Sequence, residues 1–395
     1  MVLNLKKADL IAILILLMFL IAYIALNVYV EYLRKKEATV TIKIEEGMAI
    51  GFVCPDFSYP MVRYLLSKAN KTIDIMVYEF YHEAILNVLE ERAKSGVRIR
   101  VLLENNTYGK SGDEWNAAFA HKLYNLANQG LPIYVRFDSH PHYLHAKVII
   151  IDELISIILS DNLLPNSFPP EYGVAYKSPY STLSRGWGVA IINRTIAENL
   201  TNIFNSLFSK GIDYRPNTRE EEAPPVKGTE NFEPQFKYVV TDIEHSPIRI
   251  LVSPNNSLAG MLSLINSAEK SIFIEAMYIH YDDESVAMLI DAIKNRTEKG
   301  VNAIAIVEDD YPGNYDDAKE ALIDYGIEVK PAFRKYSLYF LHNKGIIVDN
   351  STVLIGSINW SDESITRNIE VGVIIENKEL ATFFLQVFLW DLERS

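Results

Sequence analysis

The chain has 395 residues, 49% of them hydrophobic and 23% charged, with a formal net charge of −13 and a single cysteine, Cys54. This length accommodates two ordinary domains, and the composition is that of a globular protein. One cysteine excludes an intramolecular disulfide framework and a cysteine-rich zinc site; the acidic balance argues against an extended DNA-binding surface, though not against a local cationic pocket.

No charged residue interrupts Leu10 to Val30. At 1.5 Å per helical residue, about twenty such residues cross a ~30 Å hydrocarbon core, so 10–30 is expected to be a transmembrane helix. No small-residue cleavage signature follows it, which points to an uncleaved, single-pass membrane anchor. Lys6 and Lys7 before the span nearly balance Arg34, Lys35 and Lys36 after it. The Asn-x-Ser/Thr sequons at Asn70, Asn105, Asn193, Asn199, Asn255, Asn295, Asn350 and Asn359 favour an extracytoplasmic body.

Beyond the anchor the chain repeats itself at an offset of roughly 200 residues, which suits two fused domains. The apolar strand Ile73–Tyr78 is matched by Ile272–Tyr278, and the helical pattern 84–95 by 285–299. Gly96-Val97 and Gly300-Val301 then open strands at 99–103 and 303–307, followed by helical stretches at 114–129 and 315–325. Strands alternating with helices indicate an α/β body with mixed sheets flanked by helices. The first domain is placed at 47–212 and the second at 237–395. The polar 213–236 segment between them is read as a linker whose acidic run Glu220–Glu222 is solvated.

Each half ends in the same pattern, His145-Ala-Lys147 running to Asp152 and His342-Asn-Lys344 running to Asp349. Eight residues after each Asp stands a Ser, and two later an Asn: Ser160 and Asn162, then Ser357 and Asn359. Residues two apart in a strand point the same way, so each His and Lys share a face. Two imidazoles and two ammonium groups suit attack on a phosphodiester. Lys147 and Lys344, with Asn162 and Asn359 donating, neutralise the phosphate oxygens, and Ser160 and Ser357 add hydroxyl contacts or orient those groups. One neutral imidazole attacks phosphorus to form a phosphohistidine, and the other, protonated, donates to the leaving oxygen. No metal or other cofactor is required. Tyr78, Tyr278 and Trp360 are candidates for the pocket wall, with core packing the alternative for each; His140 and His142 are read as loop residues.

These paired motifs resemble those of the phospholipase D superfamily, and the resemblance runs from about Gly51 to the C-terminus. It implies two tandem phospholipase D-like α/β domains related by a pseudo-twofold axis, meeting at one site. Both motifs lie in one chain, so dimerisation is not needed to complete it. It further implies that His145 is the nucleophile and His342 the general acid, and that Glu370 steadies a histidine ring, that of the opposite half. Asp152 and Asp349, five residues beyond their lysines at the far end of each strand, are read as bracing the site rather than reacting. The run Leu354-Ile-Gly-Ser357-Ile-Asn359-Trp360 looks most like the nuclease-type members. It looks less like the cardiolipin synthases, which usually carry Asp-Arg-Ser soon after the motif's Asn.

The first half departs from the pattern. Aligning Gly186-Trp187-Gly with Ile369-Glu370-Val sets Trp187 where a carboxylate is expected, so one histidine is expected to lack its acidic partner. A Pro- and Tyr-rich loop, including Pro165, Tyr172, Pro179 and Tyr180, precedes it. The expected function is therefore phosphodiester hydrolysis by a membrane-anchored nuclease acting on nucleic acid. A phospholipase D or phosphatidyltransferase acting on phospholipid is the alternative. An inactive surface binding protein that keeps the fold is a third reading, raised by Trp187.

Overall fold

A computed structural model of the chain describes residues 7–108, 110–176, 183–216, 228–309, 314–333 and 339–395. The Glu220–Glu222 run and Pro179 and Tyr180 of the aromatic loop lie outside them. The N-terminal unit is one helix, Lys7–Glu37. Its stretch Ile13–Val30 has a mean hydropathy of 2.6 and is long and apolar enough to cross a membrane.

Residues 42–395 form a second compact unit. In it, two mixed sheets repeat one strand order. The first runs Met48–Cys54, Leu183–Ile192, Ile155–Leu159, Lys147–Ile151, Thr72–Val77, Arg98–Leu103, Ile133–Phe137. The second runs Ile248–Ser253, Glu370–Glu376, Thr352–Gly356, Lys344–Val348, Ser271–Ala276, Asn302–Val307, Ile327–Pro331. In each, the last three strands are parallel and the rest antiparallel. The β-branched, doubly apolar motif strands, Val148–Ile151 and Ile346–Val348, sit at mid-sheet, where both faces are covered.

Corresponding helices follow Leu183–Ile192 and Glu370–Glu376. Each is capped by an Asn, with Asn193 accepting from the Ile196 N–H and Asn377 from the Leu380 N–H. The halves are also interleaved. Tyr238–Asp242 adds antiparallel to Met48–Cys54 of the first sheet, and Tyr339–Leu341 pairs parallel with Leu183–Arg185. One apolar core contains residues from both halves, among them Trp187, Phe204, Val353, Val371 and Phe384. Trp187 is fully buried there, its ring 4.8 Å from that of Phe384. A Cβ on Gly345 would stand 2.3 Å from the Trp187 ring, so the glycine in the second motif makes room for this indole. Trp360 likewise belongs to the core of the second half rather than to a pocket wall.

Candidate active site

The residues two before each motif strand, His145 and His342, reach one cavity of about 480 Å³ between the halves. His145 and His342 line it, with Asn162, Asn359, Tyr78 and Tyr278. Each histidine is fixed to the other half through its backbone. The His145 N–H donates to the Ile369 carbonyl and the His342 N–H to the Arg185 carbonyl, both at 2.9 Å. The lysines stand behind the histidines, 1% and 2% exposed. Lys147 Nζ donates to the His145 carbonyl at 2.7 Å and Lys344 Nζ to the His342 carbonyl. Among the described residues, no group of three or more His, Cys, Asp or Glu is placed to hold a metal ion.

Each imidazole faces a carboxylate of the opposite half. Glu370, fully buried, lies 2.9 and 3.0 Å from His145 Nδ1 through its two oxygens. The expected gap beside the other ring is absent, because Asp161 stands 3.6 Å from His342 Nδ1. The strand register explains the correction. Cys54 pairs with Gly186 and Ser253 with Glu370, so Gly186, not Trp187, occupies the position equivalent to Glu370. A Cβ on Gly186 would lie 1.5 Å from Asp161 Oδ2 and 2.4 Å from Ser160 Oγ. The carboxylate has thus moved from one strand to its neighbour, and the glycine leaves the space it fills. Asp161 adjoins Ser160 and Asn162, and that adjacency was the signal available in the sequence.

Other expected site residues lie elsewhere. Asp152 and Asp349, expected to brace the catalytic set, sit in the turns beyond the far ends of their strands. Asp152 accepts from the backbone N–H groups of Asn70, Lys71 and Thr72, and Asp349 from those of Glu269, Lys270 and Ser271, at 2.7–2.8 Å. They tie a loop to a turn and do not reach the cavity. Ser160 and Ser357, expected to touch the phosphate or to orient the groups that do, are fully buried. The Trp187 N–H donates to Ser160 Oγ, which in turn donates to Asp161. Ser357 Oγ accepts from the Val371 N–H and donates to Glu370. Both serines hold the carboxylates.

Burial dominates the electrostatics. It pushes His145 down to about 4 against the pull of Glu370. It also holds His342 well below the usual imidazole range, with Lys344, Lys147 and His145 adding to the effect. Lys147 is lowered to about 8 by burial, and Lys344 falls well below its ordinary value for the same reason, with Lys147 adding. Burial alone would raise Glu370, but His145, Lys147 and Ser357 hold it below the ordinary carboxylate range. With Glu370 ionised, the proton of neutral His145 lies on Nδ1, leaving the Nε2 lone pair free to attack. A phosphate anion entering between the lysines would favour their charged forms and that of a second imidazole.

Comparison with known proteins agrees with this geometry. The family described as "Cardiolipin synthase, PLD-like domain" matches residues 62–208 and 261–392, most of both halves. A cardiolipin synthase of Listeria welshimeri is 25% identical over 354 residues, spanning 84% of this chain and 66% of that protein. One from Staphylococcus aureus is 31% identical over 141 residues, spanning 34% of this chain and 27% of that protein. The chain therefore spans just under two thirds of one of these relatives and about a quarter of the other. The phosphatidylserine synthase of Haemophilus influenzae Rd KW20 has the same fold, with a TM-score of 0.61 at 14% identity over 89% of this chain and 88% of that one. The nuclease likeness expected from the second motif finds no support among these relatives. With its duplicated α/β domains and paired His-Lys motifs around one cavity, the chain belongs to the phospholipase D superfamily, in the family of cardiolipin synthase, PLD-like domains.

Proposed function

We propose that this protein is a phosphatidyltransferase, which moves a phosphatidyl group from one phospholipid to an acceptor alcohol through a phosphohistidine. The observation that carries the reading is the pair of imidazoles at one cavity, each with a carboxylate at Nδ1. The cardiolipin synthase relatives support lipid over nucleic acid as the substrate. So does the mix of aromatic and apolar lining, which includes Tyr78, Tyr143, Leu164, Met277 and Phe340.

His145 is the nucleophile. Both Glu370 oxygens lie within hydrogen-bond distance of its Nδ1, at 2.9 and 3.0 Å, whereas Asp161 stands 3.6 Å from Nδ1 of His342. In the first step Nε2 of His145 bonds to phosphorus, the P–O bond to the leaving alcohol breaks, and His342 supplies that alcohol's proton. In the second, the acceptor hydroxyl gives its proton to His342, its oxygen bonds to phosphorus, and the P–N bond breaks. Lys147, Lys344 and Asn359 stabilise the charge on the non-bridging oxygens throughout.

The test is incubation of the detergent-solubilised full chain with labelled phosphatidylglycerol, and separately with end-labelled oligonucleotides. Transfer of label to a second glycerophospholipid is expected, with a trapped adduct lost in His145→Ala and retained in His342→Ala. Cleavage of oligonucleotide without lipid turnover would refute the reading.

A further inference from the structure

The two halves present different groups to the shared cavity. Val77 pairs with Lys147 and Ala276 with Lys344, so the residues two further on, Glu79 and Tyr278, hold equivalent positions. Both line the cavity beside the equivalent asparagines Asn162 and Asn359. Tyr278 is a phenol whose hydroxyl meets Ser361. Glu79 is a carboxyl group only 4% exposed, and no step described above uses it.

Its effect falls first on Asn162. Asn162 Nδ2 donates to Glu79 Oε2 at 2.8 Å. The Asn162 Oδ1 is buried and without a protein partner. Glu79 and Asn162 Oδ1 are thus both acceptors; Glu79 lines the cavity, whereas the Asn162 oxygen is closed to solvent. A phosphate has only acceptor oxygens to offer them, and Glu79 as an anion would repel it. Hydroxyl groups, by contrast, are donors of the right kind.

We propose that Glu79, positioned by the Asn162 amide, receives a non-reacting hydroxyl of a polyol acceptor and so directs the phosphohistidine towards glycerol-like alcohols over monohydric alcohols and water. This rests on the transferase reading and adds its acceptor class. The reacting hydroxyl still loses its proton to His342 while its neighbour is held by Glu79. The reason for selectivity is that an acceptor lacking the second hydroxyl leaves the buried Glu79 carboxylate short of a donor, a penalty that a polyol avoids. Burial raises Glu79 to about 7 against the pull of Lys147 and Asn162, so the selectivity strengthens as pH rises through neutrality and the carboxylate forms.

The test is a competition in which the solubilised full chain, charged from unlabelled phosphatidylglycerol, partitions between deuterium-labelled glycerol and 1-propanol at equal concentration, so that both products differ in mass from the donor. The product ratio does not depend on how much protein is active. Wild type should favour glycerol, and Glu79→Gln, nearly isosteric, should lower the glycerol-to-propanol ratio about tenfold. An unchanged ratio overturns the proposal while leaving the transferase reading intact. If wild type forms neither product, both are overturned. Loss of the adduct in a Glu79→Gln protein that still unfolds cooperatively would assign Glu79 to the first step and also overturn the proposal. Glu79→Asp supplies the same ratio should the Gln variant fail to fold, and a shorter side chain withdrawn from the polyol should again lower it.

Discussion

An imidazole that must first donate and then accept a proton needs a fixed orientation, and at His342 that task falls to Asp161, the carboxylate that crossed from one strand to the next. Asp161 acts through another side chain, so removing it should act on proton transfer more than on binding. Asp161→Asn is expected to lower turnover about a hundredfold for a lipid with an ordinary alcohol leaving group. The loss should be much smaller for a nitrophenyl phosphodiester, whose leaving group needs no proton; equal losses on the two substrates would make Asp161 merely structural. Gly186 offers an independent check, because a Cβ there occupies the position of Asp161 Oδ2. Gly186→Ala should be as damaging as Asp161→Asn, and far less so once Asp161 is already Ala. A double-mutant coupling of more than about 1 kcal/mol is expected between the two sites.

At the scale of elements, the aromatic loop after Asn162 is held to the first half through His82. This residue caps the helix Glu83–Lys94 by accepting from the Ile85 N–H at Nδ1 (3.2 Å), and its Nε2 donates to the Phe168 carbonyl at 2.6 Å. Burial pushes it down to about 4, whereas in the unfolded chain it titrates near 6.5. Between those values the unfolded chain binds the proton first, so stability falls as pH drops from about 6.5 towards 4, by up to about 3 kcal/mol from this residue. His82→Asn, which can still cap, should be less stable at pH 7 yet lose less on acidification in urea denaturation; parallel losses would exclude His82 as a source. None of this was legible in the sequence, because a histidine before a helix carries no sign of what lies across the chain. Period-2 strands, Gly-Val turns and the duplicated His-x-Lys motifs were legible, since each is set by local spacing. The alignment failed at Trp187 by one residue because the apolar strands flanking Gly186 and Glu370 read alike when slipped. Only the pairing of Cys54 with Gly186 sets their register.

At the scale of the whole molecule, the halves share a buried ionic cluster. Arg185, fully buried in a first-half strand, donates from Nη1 to Asp56 at 2.6 Å and to the Cys54 carbonyl at 3.1 Å, and its Nε lies 3.1 Å from Asp391 in the final helix. Burial and the neighbouring Asp391 push Glu275 of the second half well up, and it accepts from Asn343 at 2.9 Å. Asn343 lies between His342 and Lys344, and the Arg185 carbonyl holds the His342 N–H. The cluster thus connects three parts of the chain to the second motif. Replacing every charged member with apolar groups could be neutral, but removing one partner leaves the others buried and unpaired. Arg185→Met should therefore cost about 3–5 kcal/mol. Lysine, without the planar fork that meets Asp56 and Asp391 together, should recover little of it. Because Trp187 fills the space over Gly345 in the same interface, the two halves should lose structure together. Tryptophan fluorescence and far-ultraviolet circular dichroism are expected to give one coincident denaturation transition for wild type and for Arg185→Met. Two separated transitions, or a cost below about 1 kcal/mol, would show that the cluster does not join the halves energetically.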